Sequence, residues 1–269
     1  MNHQLRLTAI ILTKNESRHI ASCVTSLLWA DRVIVFDTFS DDDTVARAAQ
    51  AGAQVLQHPF ENYAQIRNAA LDAVADTEWV FFVDADERAT PELAAEIRDI
   101  IAKQSEASAA PVGYWVPRHN YIFGRLTLGA GYFPDYQMRL LRRGYARYER
   151  PVHETVVLDG VEGYLQNPLI HYNYETLEQF HVKQRRYIHH DAQELDRQGI
   201  HFKPHNLILQ PIRHFVWRYV TLRGYRDGLH GLRLCVLLAY YYGFQTYLQL
   251  RQVQAHPAQD RRKAVVQAD

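Results

Sequence analysis

Three acids, Asp84, Asp86 and Glu87, close the apolar run Trp79-Val80-Phe81-Phe82-Val83 with only Ala85 between them. Buried together without a counter-charge they would repel one another, so the arrangement calls for a cation or solvent to compensate them. Carboxylates are hard oxygen ligands suited to Mg2+ or Mn2+, and such an ion in turn neutralises a diphosphate. An Asp-x-Asp pair after a buried strand can divide this work, one carboxylate reaching a ribose hydroxyl and the other holding the metal. Glu87 follows the turn toward the next helix and is left out of the ligand set. The competing use of the same acids is a surface turn capping the helix that starts at Pro91.

Two other stretches carry matching chemistry. Asp37 ends the apolar run Val33-Ile34-Val35-Phe36 and can hydrogen-bond a base or ribose, while Ser40 and Asp41 in the loop after it suit helix capping. Gln65-Ile66-Arg67-Asn68 opens a helical segment. Arg67 can pair with a nucleotide or its phosphates and Asn68 can orient a loop, although a solvated surface arginine is equally common.

The elements that must position these residues alternate. Apolar runs at Leu7 to Leu12, Arg32 to Phe36, Ala53 to Gln57 and Trp79 to Val83 read as strands. Helical periodicity lies between and after them, at Ser17 to Trp29, Thr44 to Ala51, Tyr63 to Ala75 and Pro91 to Lys103, the last capped by Thr90. Strict alternation implies βαβ units, a mostly parallel sheet and helices on both faces. Ligands of such sheets bind outside the carboxyl ends of the strands, where Thr13-Lys14-Asn15-Glu16, Asp37 and Asp84-Ala85-Asp86 all fall.

Beyond Ala110 the pattern changes to short, mixed strands, expected at Gly113 to Pro117, Tyr136 to Leu141, Glu154 to Leu158 and Pro168 to His171. Helices return at Leu177 to Arg197, Asn206 to Leu222 and Leu229 to Arg251. The expected organisation is a domain over 1–175, made of halves 1–110 and 111–175, then a helical basic and aromatic region over 176–255 and a polar tail over 256–269.

The ordered set Thr13-Lys14-Asn15-Glu16, Asp37 with its Ser-Asp loop, Arg67-Asn68 and Asp84-Ala85-Asp86 resembles the nucleotide-sugar-binding half of family 2 glycosyltransferases with the GT-A fold. The later segments Phe133-Pro134-Asp135-Tyr136 to Arg143 and Pro151-Val152-His153-Glu154 resemble the bacterial lipopolysaccharide core enzymes of that family, including β-1,4-glucosyltransferases of the inner core. The resemblance implies an α/β GT-A fold, a UDP-sugar donor, with UDP-glucose the first choice and UDP-galactose or another UDP-hexose next, a divalent cation, and inversion at the anomeric carbon. Thr13, Asn15, Glu16, Asp37, Arg67 and Asp84 would then bind the nucleotide sugar, and Asp86 with His153 the metal. Asp135 becomes the general base, with Glu154 the alternative. Pro134-Asp135 stands where the family usually has Glu-Asp.

Composition bounds the rest. With 47% hydrophobic and 22% charged residues over 269 positions, the chain is globular and intrinsic disorder is excluded for most of it. A zero net charge hides an asymmetry: residues 1–180 carry 16 Lys and Arg against 24 Asp and Glu, residues 181–269 carry 14 against 6. Cys23 and Cys235 sit in helical segments without metal or redox spacing, which suits a reducing compartment. The N-terminal residues do not read as a signal peptide, so the expected location is the cytoplasm.

Arginines interleaved with Phe215, Trp217, Tyr219, Tyr225 and Tyr240 to Tyr242 suit the headgroup region of an anionic membrane. Leu234 to Leu250 is uncharged but shorter than the roughly 20 apolar residues of a span, so it is expected to lie on the inner face of the membrane without crossing it. That surface would meet a lipid-linked saccharide acceptor. Packing on the catalytic domain and dimerisation are the competing uses of these helices, and the oligomeric state stays open. Nucleic acid is a poorer partner, because no recognised module accompanies the basic residues.

Other activities fit less well. Haloacid-dehalogenase-type phosphatases need Asp-x-Asp after the first core strand, and Phe39 occupies the second position here. A nicotinamide or flavin enzyme wants glycines where Thr13-Lys14-Asn15-Glu16 has none. A non-catalytic nucleotide-sugar-binding or scaffold protein of the same fold is the alternative that motifs alone leave standing.

Overall fold

The computed structural model describes residues 5–103, 110–150 and 155–255. The first half alternates as expected: β1 (Leu5–Thr13), α1 (Ile20–Thr25), β2 (Arg32–Asp37), α2 (Thr44–Gln50), β3 (Gln54–Gln57), α3 (Tyr63–Ala73), β4 (Thr77–Asp84), β5 (Glu87–Ala89) and α4 (Pro91–Lys103). Strands β6 (Gly113–Ile122), β7 (Arg125–Thr127), β8 (Tyr136–Arg142), β9 (Ala146–Glu149), β10 (Thr155–Leu158), β11 (Glu162–Tyr164) and β12 (Leu169–Tyr174) follow. The C-terminal helices are α5 (Leu177–Arg197), α6 (Asn206–Val216), α7 (Gly228–Leu238) and α8 (Thr246–Ala255).

The chain divides into two compact units, one of residues 1–119 and 134–172, the other of residues 120–133 and 173–269. In the first, β3, β2, β1 and β4 pair in that order, all parallel, and β8 then pairs antiparallel with β4 and with β6. This is the expected largely parallel α/β sheet. Both faces of β4 are buried, which explains its unbroken apolar sequence. Trp79, Phe81 and Val83 pack with Leu93 and Ile97 of α4 and with α1, while Val80 and Phe82 pack with Ile66, Ala70 and Leu71 of α3. Burying each such large side chain contributes roughly 1.5–3 kcal/mol.

Pairing register decides what reaches the edge of this sheet. Thr13 lies opposite Asp37, and Leu12 lies opposite Asp84, so the ends of β1, β2 and β4 are level. Because side chains alternate, Asp84 falls on the Phe82 side of β4, the side covered by α3.

Thr90 caps α4 as expected, its hydroxyl accepting from the Leu93 N–H at 3.1 Å. The helix expected over Ser17 to Trp29 is shorter, confined to Ile20–Thr25, because tighter turns flank it, the N–H groups of His19, Leu27 and Ala30 donating to the carbonyls of Glu16, Val24 and Leu27 three residues back. Short strands β5, β7, β9 and β11 were not expected; each has three or four residues and exists through distant pairing.

The second unit holds the helices. Its core joins Ile122, Ala130, Tyr174, Phe180, Leu234 and Leu238. The two long C-terminal helices expected from periodicity are interrupted: π-helical turns occupy Trp217–Thr221 after α6 and Ala239–Gln245 between α7 and α8. Close backbone approach accounts for Gly243, where a Cβ would stand 2.5 Å from the Pro211 Cα. The segment Leu234 to Leu250 is not a surface stretch, since Leu234, Leu238, Tyr241, Tyr247 and Leu250 are all buried. Among the described residues, no helix is long and apolar enough to cross a membrane.

Candidate functional site

A cleft of about 870 Å³ opens at the carboxyl ends of β1 and β4. Thr13, Glu16, Arg67, Asp84 and Asp86 line it, together with Arg118, Gln137, Arg139 and His171, to which the sequence had given no role.

The counter-charge that three neighbouring acids require comes largely from the chain itself. Arg139, from the interior of β8, donates to both oxygens of Asp84 and, at 2.7 Å, to Glu87 Oε1. Arg118, from β6, lies 3.2 Å from the same Glu87 oxygen and donates to Asp135 Oδ2 at 2.6 and 2.9 Å. Arg67, from α3, stands 3.7 Å from Asp84 Oδ1 and lies over the rings of Phe82 and Tyr148 at 5.3 and 5.4 Å. An alternating chain results, Asp135-Arg118-Glu87-Arg139-Asp84-Arg67.

Burial opposes ionisation of Asp84, but Arg139 and Arg67 outweigh it and hold the carboxyl well below the usual carboxylate range. Burial likewise works against the Arg139 cation, and Asp84 with Glu87 carries its pKa above the ordinary value. Glu87 has no exposed surface and also accepts the Asp84 N–H at 2.9 Å, which makes it part of the scaffold under the cleft.

Asp86 is placed differently. Its Oδ2 lies 3.5 Å from Nε2 of His171, which β12 delivers by pairing His171 opposite Glu87 of β5. The Tyr172 N–H donates to the Asp86 carbonyl at 3.0 Å and fixes the turn. Among the described residues no three His, Cys, Asp or Glu side chains cluster as a metal cage. One carboxylate and one imidazole nonetheless fit an ion such as Mg2+ or Mn2+ that takes its remaining ligands from water and substrate phosphates.

The remaining expected residues divide between the cleft and its supports. Asn15 and Asp37 support. The Asn15 N–H donates to Ser40 Oγ and its Oδ1 accepts from the Asp41 N–H, with Asn15 itself in the left-handed region at φ 54°. Asp37 is fully buried, accepting from the Ser40 N–H at 2.9 Å and from Gln57 Nε2 at 3.1 Å. Neither Ser40 nor Asp41 caps α2: its N-cap is Asp43, without a side-chain cap hydrogen bond, and Asp42, one residue earlier, accepts the Thr44 N–H at 2.9 Å. Asn68 does orient a neighbouring segment, exchanging two hydrogen bonds with the Tyr148 backbone at 2.8 and 2.9 Å.

Asp135 stands beside the cleft through its partners. Arg118 occupies one of its oxygens and Gln137 donates to the other at 3.1 Å, and both partners line the cavity. His153 and Glu154 lie outside the described residues. Cys23 and Cys235 are free and buried, and burial pushes the Cys235 thiol up to about 11, so it is held protonated and unreactive.

The signals the sequence did offer for the missed residues were weak. Arg139 breaks the apolar strand Met138 to Leu141 from inside, and His171 ends an expected strand. Only strand pairing brings either to Asp84 or Asp86.

A largely parallel α/β sheet with an acidic and basic cleft at its carboxyl edge is the GT-A type of fold. The chain belongs to glycosyltransferase family 2: residues 8–157 match the profile of Glycosyl transferase family 2. It is 29% identical over 241 residues to the lipopolysaccharide core biosynthesis glycosyltransferase LpsC of Rhizobium meliloti, spanning 85% of this chain and 86% of that one. An uncharacterized glycosyltransferase of Rickettsia conorii is 28% identical over 257 residues, 89% of each chain. Among solved structures, glucosyl-3-phosphoglycerate synthase of Mycobacterium tuberculosis is similar with a TM-score of 0.45 and 17% identity, over 73% of this chain and 79% of that one.

Proposed function

We propose that this protein is an inverting glycosyltransferase that moves a hexose, glucose as first choice, from a UDP-sugar to a hydroxyl of a lipid-linked saccharide such as the lipopolysaccharide inner core. The observation that carries the reading is the shared cleft, in which Asp84 is held ionised beside Arg67 and Arg139 while Asp86 faces His171. Asp84 accepts ribose hydroxyls, and its fixed charge state lets it do so without a proton change. Arg67 and Arg139 set positive charge where a leaving diphosphate develops negative charge.

Asp86 and His171 would hold the divalent cation, with His153 the sequence-derived alternative to His171. Bound there, the ion supplies charge neutralisation for the diphosphate. Asp135 takes the proton of the acceptor hydroxyl. The oxygen then bonds to the anomeric carbon as that carbon's bond to the UDP oxygen breaks on the opposite face, and configuration inverts. Arg118 and Gln137 hold the Asp135 carboxylate in position. A second cavity of about 510 Å³ shares Arg67, Gln137 and Arg139 with the cleft and is walled by Trp115, Tyr136 and Glu162, a polar and aromatic lining that supports a saccharide acceptor. The basic helical region supports contact with an anionic membrane on the cytoplasmic side, where a lipid-linked acceptor would be met.

Screening nucleotide sugars for protection against thermal unfolding, with and without Mn2+, tests donor and cation together. UDP-glucose should protect most, and Asp86→Asn should abolish the part of the protection that needs the ion. His171→Ala and His153→Ala, compared in the same assay, assign the second protein ligand. Asp135→Asn should keep donor binding while transfer falls by roughly 10²–10⁴-fold. Transfer within about tenfold of the parent would overturn the base assignment.

A further inference from the structure

Helix α6, with the π turn that continues it to Thr221, is apolar on more than the face it packs: Leu207, Phe215 and Tyr219 lie against the core, and a second apolar stripe is left outside. Ile208, Leu209, Ile212, Val216, Trp217 and Val220 recur at helical spacing and are between 44% and 66% exposed. Asn206, Gln210, His214 and Arg218, from the same turns, face inward: Asn206 is buried, and the others are at least partly covered. Arg218 donates to the Ala130 carbonyl at 2.9 Å and packs against the Trp217 and Tyr242 rings, while His214 stacks on Tyr242. An amphipathic helix normally buries its apolar stripe, and a run of exposed aliphatic side chains marks a surface that meets something apolar.

Charge identifies what that is. From Arg197 to Arg226 the chain carries six Lys and Arg and no Asp or Glu. Lys203, Arg213, Arg223 and Arg226 are exposed, so cations stand at both ends of the stripe and within it. Two copies of such a face would repel each other. Residues 256–269 offer only Val265 and Val266 as large aliphatic side chains, too few to cover six. An anionic bilayer satisfies both features, taking aliphatic side chains at the acyl boundary and arginines at its headgroups.

We propose that the exposed face of residues 208–220 is the membrane-docking element, lying in the plane of an anionic lipid surface with Ile208, Ile212, Val216 and Val220 directed into it. This rests on the membrane contact proposed above and names the surface responsible. It moves that role away from Leu234 to Leu250, most of whose apolar side chains are buried, Val236 and Tyr240 being the exposed ones.

Co-sedimentation of the full chain with equimolar phosphatidylglycerol and phosphatidylcholine vesicles, against phosphatidylcholine alone, provides the test. Binding to the anionic vesicles should weaken with added salt, and Ile212→Asp with Val216→Asp should reduce it by roughly tenfold or more while thermal unfolding stays cooperative. Brominated lipid should quench Trp217, and Trp217→Phe should remove that quenching. Should the double variant bind as the parent does, with no Trp217 quenching, the α6 face is excluded while membrane contact stands. A parent protein that ignores anionic vesicles overturns both. A parent that instead dimerises, and loses the dimer in the double variant, makes this face an interface between copies and overturns the proposal.

Discussion

Covered arginines occur in both compact units, and they meet different partners. In the first unit Arg139 is 3% exposed and grips Asp84 and Glu87, with Arg118 and Arg67 extending the ionic chain to either side. In the second, Arg218 meets a backbone carbonyl and two aromatic faces. The first arrangement spends its positive charge on fixing the ionisation and position of site carboxylates. The second holds a cation by dipole and ring, and the helix around it keeps its remaining arginines for the surface. Buried charge in one region therefore fixes the carboxylates of the cleft, while exposed charge in the other flanks the face proposed to dock.

The largest test of this contrast is Arg139→Met. It leaves Glu87, which is fully buried, with Arg118 and the Asp84 N–H, and leaves Asp84 with the more distant Arg67. Breaking a buried network from one side should cost about 3–5 kcal/mol, read as a fall in the unfolding midpoint in urea. Arg218→Met should cost less, about 1–2 kcal/mol, since it removes one hydrogen bond and two ring contacts but strands no carboxylate known to pair with it. Equal losses from the two substitutions would break the comparison.

The smallest effect concerns pH. Burial, helped by Arg218 and Arg213, pushes the His214 imidazole down to about 4 from its ordinary 6.5. The unfolded chain takes up a proton near 6.5, while the folded chain refuses it until about 4. The contribution to stability is thus whole above pH 6.5 and is lost as pH falls toward 4. His214 is only partly covered, so after allowance for solvent screening the effect is about 1 kcal/mol. Stability measured across that window should fall less in His214→Gln than in the parent; parallel curves would remove His214 from the account.

Much of the first unit was legible because its signals are local. Strands β1 to β4 announce themselves as apolar runs, α3 and α4 by 3.6-residue spacing, and the carboxyl-edge rule then gathers Thr13, Arg67, Asp84 and Asp86 around one opening. Asp37 shows where that reasoning stops. Its position at the edge was readable, but its burial under Ser40 and Gln57 depends on how the loop folds back. Glu87 had been set aside as a ligand, yet nothing in the sequence pointed to Arg118 and Arg139 as the cations that neutralise it, because they lie 31 and 52 residues away.

In the helical region the sequence showed the material without its direction. Apolar, aromatic and basic residues were all visible, and Leu234 to Leu250 looked the better surface segment for being uncharged. Packing reversed the choice, burying most of that segment and leaving a second apolar stripe of α6 outside. By itself, then, the sequence determined the alternation of elements, the residues at which each strand ends and the chemical types gathered there, since these follow from spacing along the chain. Only the tertiary structure decided which cation meets which acid, that His171 stands beside Asp86, and which face of α6 is left uncovered. Those outcomes are set by strand pairing and helix packing between distant residues, which no local pattern encodes.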